Sequence, residues 1–183
     1  MRFEKDQALN DVKLFVLDMD GTVYLGNNLI EGSLDFIHKV KETGRSFIFF
    51  TNNASRVPSF YKEKLAKMGL EVEESDVVTA GDVTAEFLKT YYPGKRVYLN
   101  GTPLLENSFK EKGINLVDDE PDVAVQSFDT TLTYEKLISF FSLINSLNFF
   151  IFFSIFYSSL LFSSLKFLGF CGFFSFHNPN FCS

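Results

Sequence analysis

Two aspartates one residue apart, Asp18 and Asp20, are the residues of this chain whose types and spacing best suit catalysis. They follow the apolar run Leu14–Leu17, which predicts a buried strand, and they precede Gly21 and Thr22. A carboxylate can attack phosphorus and form an aspartyl-phosphate. A second carboxylate on the same turn can protonate the leaving oxygen and later take a proton from water. Because an anion attacks a phosphate poorly, this chemistry needs a divalent cation, and Mg²⁺ prefers carboxylate and phosphate oxygens.

A second polar group, Thr51-Asn52-Asn53, follows the apolar run 47–50. If the two apolar runs are neighbouring parallel strands, their carboxyl ends meet at one edge of the sheet, where ligands bind in open α/β folds. Thr51 and Asn52 offer donors for the phosphoryl oxygens, on which charge must be stabilised. Gly21 permits a tight turn whose backbone amides can approach a phosphate.

The elements that would position these residues alternate between strand and helix. Beyond the first two strands, the pattern predicts helices over 31–44, 58–69, 82–91, 103–112 and 134–143, and strands over 77–79, 96–99 and 123–125. Ser33 is the expected N-cap of the first helix, and Gly44 is the expected residue after its C-terminus. Such alternation is typical of βαβ units and a parallel sheet. Pro93-Gly94-Lys95 is the best candidate boundary between two modules.

Charge and composition change sharply along the chain. Residues 1–136 hold all but one of the 17 Lys and Arg residues and all 23 Asp and Glu residues, as expected of an acidic soluble domain. Residues 137–183 contain one charged residue, Lys166, and more than half of the 24 Phe residues. An acidic balance gives no support for nucleic-acid binding. Cys171 and Cys182 have no metal-ligand spacing and the N-terminus is too charged for a signal peptide, so a cytoplasmic location is expected.

Five phrases of the sequence resemble the haloacid dehalogenase (HAD) superfamily of phosphohydrolases, and within it the NagD-like or p-nitrophenylphosphatase-like enzymes of subfamily IIA. The phrases occupy residues 17–26, 50–56, 78–82, 98–102 and 128–135. The resemblance implies an α/β fold with an incomplete HAD-like (Rossmannoid) parallel-sheet core and a partial α/β cap. The implied domains are residues 1–93 for the N-terminal part of the core, 94–145 for the first half of a C2-type cap, and 146–183 for a tail of doubtful origin.

The resemblance also implies roles for individual residues. Asp18 would be the nucleophile and Asp20 the general acid and base, and the Asp18 carboxylate and the Asp20 backbone carbonyl would hold Mg²⁺. Four residues would bind the phosphoryl group: Thr51, Asn52, Asn53 and Gly21. The implied function is a Mg²⁺-dependent phosphomonoester hydrolase that acts on a small phosphorylated metabolite. Sugar phosphates, phosphoglycolate, nucleotides and pyridoxal phosphate are all open as substrates, and the oligomeric state is open too.

The C-terminal part of the sequence leaves several alternatives open. The later Lys motif and the Gly-Asp-rich acidic motif of the family find no match, since no Asp or Glu follows Glu135. The chain would then be an inactive fragment or a pseudoenzyme. The uncharged run 137–165 is long enough to span the ~30 Å hydrocarbon core of a bilayer, so it could also be a membrane anchor. Its Phe/Ser/Leu composition also resembles translated non-coding or frame-shifted DNA, and truncation or a frameshift is the favoured explanation.

Overall fold

The structure, a computed structural model, describes residues 12–144 and 150–152. Residues 144 and 150–152 are described by their backbone alone. Strands and helices alternate along this part of the chain. The strands are β1 (Leu14–Leu17), β2 (Tyr24–Leu25), β3 (Asn28–Leu29), β4 (Ser46–Thr51), β5 (Val77–Thr79), β6 (Arg96–Asn100), β7 (Asn115–Leu116), β8 (Val123–Gln126) and β9 (Phe150–Phe152). The helices are α1 (Ser33–Glu42), α2 (Pro58–Lys67), α3 (Ala80–Tyr91), α4 (Pro103–Glu111) and α5 (Tyr134–Ile144), with a short 3₁₀ helix at Glu74–Asp76.

Every helix and strand predicted from the sequence is present, and the α/β class is confirmed. Strands β2, β3, β7 and β9, each of two or three residues, were not predicted from the sequence. The chain divides into two compact units. The first comprises Met1–Thr51 and Pro58–Val78, and the second comprises Asn52–Val57 and Thr79–Ser183.

The first unit is built on a three-stranded sheet in the order β1-β4-β5, with β2 and β3 forming a separate antiparallel pair. Strands β1 and β4 are parallel neighbours, as predicted, with Leu17 opposite Phe49. Helices α1 and α2 contribute apolar faces to the core beside this sheet. The core includes Ile37, Val40, Phe47, Phe49, Tyr61 and Leu65.

Strand β1 is not the buried strand that its apolar run predicted. Leu14 is 46% exposed and Val16 is 56% exposed, whereas Phe15 and Leu17 pack against the core. Within the described residues β1 pairs with β4 alone, so one of its edges and one of its faces have no cover. A continuous apolar run is typical of a strand that is covered on both faces, and here only one face is covered.

The start of α1 corrects a second prediction. Gly32 is the N-cap residue, with a φ of 84°, and no side chain caps the helix. Ser33 is the first helical residue, and its N–H donates to the Ile30 carbonyl at 3.0 Å. Ser33 was the wrong choice because glycine reaches this left-handed conformation without steric cost. At the other end Gly44 has a φ of 69° and donates its N–H to the Lys41 carbonyl, which confirms the predicted C-terminal position.

The second unit contains a parallel sheet in the order β7-β6-β8-β9. Strand β6 continues through α4 to β7 on one side, and β8 is followed by α5 and then β9 on the other. The core of this unit combines both strands with α3 and α4. It includes Ala85, Leu88, Val97, Leu105, Phe109, Val123 and Val125.

The phrase 78–82 serves to begin α3. The Thr79 hydroxyl accepts a hydrogen bond from the Asp82 N–H at 3.1 Å, and the Asp82 carboxylate accepts one from the Thr79 N–H at 2.9 Å. This reciprocal arrangement is a capping box. A Cβ at Gly81 would lie 2.5 Å from a methyl carbon of Leu105, so a larger residue here would displace that side chain of α4. The phrase is therefore structural.

The phrases 98–102 and 128–135 meet through Lys136. Its ammonium donates to the Asp129 carboxylate at 2.7 Å and to the Gly101 carbonyl at 3.1 Å. Burial would raise the pKa of Asp129, but the hydrogen bonds from Lys136 and Thr131 outweigh it, so the net pKa is lowered. Through these two contacts Lys136, on α5, links the loop after β8 to the loop after β6.

Part of the sequence-based description lies outside the described residues. This holds for nearly all of residues 146–183, including Lys166, Cys171 and Cys182, and for most of the run 137–165 that could form an anchor. In the portion that the structure does describe, no helix has both the length and the apolar character needed to cross a membrane. The domain boundaries at residues 93 and 145 stay a prediction.

Candidate active site

The two aspartates lie immediately beyond the carboxyl end of β1. Met19, which stands between them, is fully buried in the core of the first unit, whereas Asp18 and Asp20 are exposed. Successive side chains of an extended chain point to opposite sides. The buried methionine therefore holds both carboxylates on the outer side of the strand end, where they can reach one ligand.

The turn after Asp18 is closed by backbone hydrogen bonds. The Met19 carbonyl accepts N–H groups from Thr22 at 3.3 Å, Val23 at 2.8 Å and Tyr24 at 3.1 Å. Gly21, with a φ of 80°, donates its N–H to the Tyr24 carbonyl at 2.8 Å. The Gly21 amide hydrogen is thus used inside the turn. What Gly21 supplies is the left-handed conformation that the turn requires.

Thr51 lies at the same edge of the sheet as the aspartates. It is the last residue of β4, it is 6% exposed, and β4 runs parallel to β1. Leu17 pairs with Phe49, so Asp18 lies one residue and Thr51 two residues beyond this last pair, at the carboxyl ends of their strands. The structure therefore brings Asp18, Asp20 and Thr51 to one edge of one sheet.

Asn52 and Asn53 follow Thr51 in the chain but belong to the second unit. The Asn53 side-chain oxygen accepts hydrogen bonds from the Ser55 N–H at 2.9 Å and from the Ser55 hydroxyl at 2.6 Å. The Ser55 carbonyl accepts in turn from the Thr102 hydroxyl at 3.1 Å. Asn53 thus stabilises the turn that follows it, and the phosphate-binding role expected for Asn52 and Asn53 stays a prediction.

The two aspartates form a pair of uncompensated negative charges. Desolvation raises the pKa of the Asp18 carboxyl, a backbone hydrogen bond from Met19 lowers it, and the charge of Asp20 raises it further, so the net shift is upward. None of the ion pairs formed by the described residues involves Asp18 or Asp20. A cation at this position would relieve the repulsion between the two carboxylates.

The donor set at this edge fits Mg²⁺. The Asp18 carboxylate and the Asp20 backbone carbonyl offer hard oxygens, and Mg²⁺ commonly binds through one or two carboxylates with waters and phosphate oxygens completing its octahedron. Within the residues that the structure describes, no group of three or more His, Cys, Asp and Glu side chains converges on one point. The described residues would therefore supply only part of the coordination shell.

Two residues near the site were missed in the sequence. Tyr24, at the end of the turn, is 2% exposed, and the Lys64 ammonium lies 3.8 Å from the centre of its ring. Burial raises the pKa of the Tyr24 hydroxyl, and Tyr61, Asp20 and Asp18 raise it further. Tyr24 stands within the phrase 17–26 and could have been singled out there. Lys64 carries no comparable sequence pattern.

Comparison with known proteins agrees with this geometry. The family model for haloacid dehalogenase-like hydrolases matches residues 15–115. An acid sugar phosphatase of Staphylococcus saprophyticus is 36% identical over 130 residues, which are 70% of this chain and 50% of that protein. The crystal structure of a 4-nitrophenylphosphatase from Thermotoga maritima matches with a TM-score of 0.74 and 42% identity, over 77% of this chain and 54% of that one.

The fold is shared with a more distant protein as well. NagD from E. coli K-12 superposes with a TM-score of 0.72 at 22% identity, over 78% of this chain and 57% of that one. The chain spans about half the length of the curated relatives that it matches. Its similarity to the 4-nitrophenylphosphatase agrees with the branch expected from its sequence, and the chain belongs to the haloacid dehalogenase-like hydrolase family.

Proposed function

We propose that this protein is a Mg²⁺-dependent phosphomonoester hydrolase that acts through an aspartyl-phosphate on a small phosphorylated metabolite. One observation carries the proposal. Asp18 and Asp20 lie on the outer side of one strand end, within a turn closed by the Met19 and Tyr24 backbones, and Thr51 ends the neighbouring parallel strand. This edge offers a nucleophile, a proton carrier and a hydroxyl donor at the carboxyl ends of two strands, where α/β folds bind ligands.

The reaction takes two displacements at phosphorus. A carboxylate oxygen of Asp18 attacks, the ester P–O bond breaks, and Asp20 gives its proton to the departing alcohol oxygen. Water then attacks the phosphorus of the aspartyl-phosphate, Asp20 takes a proton from that water, and the bond from phosphorus to Asp18 breaks. Inorganic phosphate leaves, and both aspartates return to their starting protonation states.

The surrounding residues would bind and orient the phosphoryl group. The Thr51 hydroxyl and the side chains of Asn52 and Asn53 are the proposed donors to its oxygens, and Gly21 gives the turn its shape. Mg²⁺, held by the Asp18 carboxylate and the Asp20 backbone carbonyl, would offset the negative charge that phosphate brings to the two carboxylates. The pKa of the Asp18 carboxyl is raised by desolvation and by the nearby charge of Asp20, and a cation bound here would oppose both effects.

The chemistry of the relatives supports the substrate class. The similar proteins include an acid sugar phosphatase and a 4-nitrophenylphosphatase. We therefore propose a small phosphorylated metabolite, such as a sugar phosphate, as the substrate and the cytoplasm as the place of action.

Hydrolysis of p-nitrophenyl phosphate by the full chain tests the proposal. We expect release of nitrophenol in the presence of Mg²⁺, its loss on chelation with EDTA, and its abolition by Asp18→Asn. Asp20→Asn should slow turnover by roughly 10²–10⁴, the usual contribution of a general acid and base. Asp119→Asn, which changes an exposed aspartate of the second unit, is the matched control and should retain activity.

Two results would count against the proposal. Folded protein that turns over nothing with Mg²⁺ would support the alternative of a non-catalytic member of the family. Full activity of Asp18→Asn would mean that another residue is the nucleophile.

A further inference from the structure

We infer that Lys64 is a positioning residue for this site: its ammonium holds the ring of Tyr24, and Tyr24 fixes the turn that carries Asp20. The inference concerns a side chain on α2 that would not itself touch the substrate. Its catalytic consequence rests on the proposed function, whereas its effect on the turn does not.

The contact between Lys64 and Tyr24 is close. The Lys64 Nζ lies 3.8 Å from the centre of the Tyr24 ring, well inside the ~6 Å over which an ammonium is attracted to the face of an aromatic ring. Tyr24 is 2% exposed, so little water competes for the ring. Attraction of this kind strengthens when the partners are desolvated.

Lys64 is half-buried and lies near the apolar side of α2. Residues three or four apart share a helix face, and Lys64 follows Tyr61 by three positions and stands beside Leu65. Tyr61 is 3% exposed and Leu65 is fully buried. A half-buried lysine here can lay its aliphatic stem along apolar neighbours and bring its ammonium over the nearby ring.

That partner is the Tyr24 ring. Lys62, on the same helix, forms an ion pair with Glu73 at 2.8 Å. Lys64 takes part in none of the ion pairs formed by the described residues, although its ammonium lies over a buried ring. The two half-buried lysines thus have different partners, a carboxylate for Lys62 and an aromatic ring for Lys64.

Tyr24 transmits the contact to Asp20 through the backbone. Its carbonyl accepts the Gly21 N–H at 2.8 Å, its N–H donates to the Met19 carbonyl at 3.1 Å, and Asp20 and Tyr24 form a β-bridge. A fixed Tyr24 ring therefore holds both ends of the turn in which Asp20 lies. A proton-transferring carboxylate acts efficiently only when its geometry is held closely, so loosening of this turn should slow the reaction.

Amide hydrogen exchange at Gly21 tests the structural step without any need for turnover. In Lys64→Met, which keeps the length and the apolar stem, we expect the Gly21 amide to exchange about fivefold faster or more. The Phe49 amide of β4 should be unchanged. Lys64→Arg should retain protection, since arginine also binds aromatic faces, and Lys67→Met is the control for loss of a charge from the same helix. Equal protection of Gly21 in wild type and Lys64→Met would overturn the inference.

Kinetics with p-nitrophenyl phosphate test the catalytic step. Lys64→Met should lower kcat with little change in KM, and Lys64→Arg should restore most of the loss. Tyr24→Phe keeps the ring and should behave as wild type, whereas Tyr24→Leu should reproduce the defect, with no further loss in the double variant Tyr24→Leu, Lys64→Met.

If exchange at Gly21 changes but even the wild type hydrolyses nothing, the proposed function fails and the Lys64 contact stands. If turnover is present and Lys64→Met is normal in both measurements, the inference about Lys64 fails.

Discussion

At the scale of single residues, the charged carboxylate that the proposed chemistry needs also lowers the stability of the folded protein. Asp18 has a raised pKa because it is partly desolvated and close to Asp20. A group whose pKa is higher in the folded than in the unfolded protein favours folding below its unfolded pKa, and this contribution is lost as the pH rises through its folded pKa. At neutral pH the ionised Asp18 therefore destabilises the metal-free protein.

This leads to a pH-dependent prediction for Asp18→Asn. In the absence of Mg²⁺ the variant should have a higher free energy of unfolding than the wild type at pH 7. The difference should shrink as the pH falls and disappear below the ordinary Asp value of 3.8, where the carboxyl is protonated in both states. Urea denaturation at several pH values measures it. Added Mg²⁺ should stabilise the wild type and leave Asp18→Asn unaffected, and a variant less stable than wild type at pH 7 would contradict the electrostatic account.

Sequence reasoning at the residue scale succeeded where residue type and chain position alone decide the outcome. Asp18, Asp20 and Thr51 could be placed at strand ends because apolar runs precede them. Three contacts could not be predicted: the hydrogen bonds between Asn53 and Ser55, the hydrogen bond of the Gly21 amide inside its own turn, and the contact of Lys64 with the Tyr24 ring. Each depends on side-chain or backbone geometry that one sequence does not encode as a pattern.

At the scale of elements, the alternation of strands and helices was predictable because hydrophobic periodicity differs between the two. The burial of β1 could not be predicted in the same way. An apolar run predicts a strand, but its burial depends on what other segments cover it. In the described residues β4 is its one partner, so Leu14 and Val16 are exposed. Short strands such as β2 and β3 escaped prediction for lack of length.

The unequal burial of β1 and β4 gives a stability prediction. Val16→Thr should change the free energy of unfolding by no more than about 0.5 kcal/mol, because the side chain is 56% exposed. Phe49→Ala should cost about 3–5 kcal/mol, because Phe49 is fully buried in the core of the first unit. Thermal or urea denaturation of the full chain compares the two. A large loss in Val16→Thr would mean that β1 is covered in solution.

At the scale of the whole molecule, the chain contains two compact units, and the proposed catalytic aspartates lie in the first. Membership of the haloacid dehalogenase-like hydrolase family rests on a match that runs from β1 to β7 and so includes parts of both units. The relatives are about twice as long as the matched region. Activity must therefore be measured on the full chain itself and not inferred from the relatives.

The most direct test of the central claim is to trap the covalent intermediate. Full-length protein is mixed with p-nitrophenyl phosphate and Mg²⁺, quenched rapidly in acid, digested, and analysed by mass spectrometry. We predict a phosphoryl group on the peptide that contains Asp18, and its absence from Asp18→Asn. Nitrophenol release accompanied by a phosphorylated residue other than Asp18, or unchanged phosphorylation in Asp18→Asn, would contradict the account.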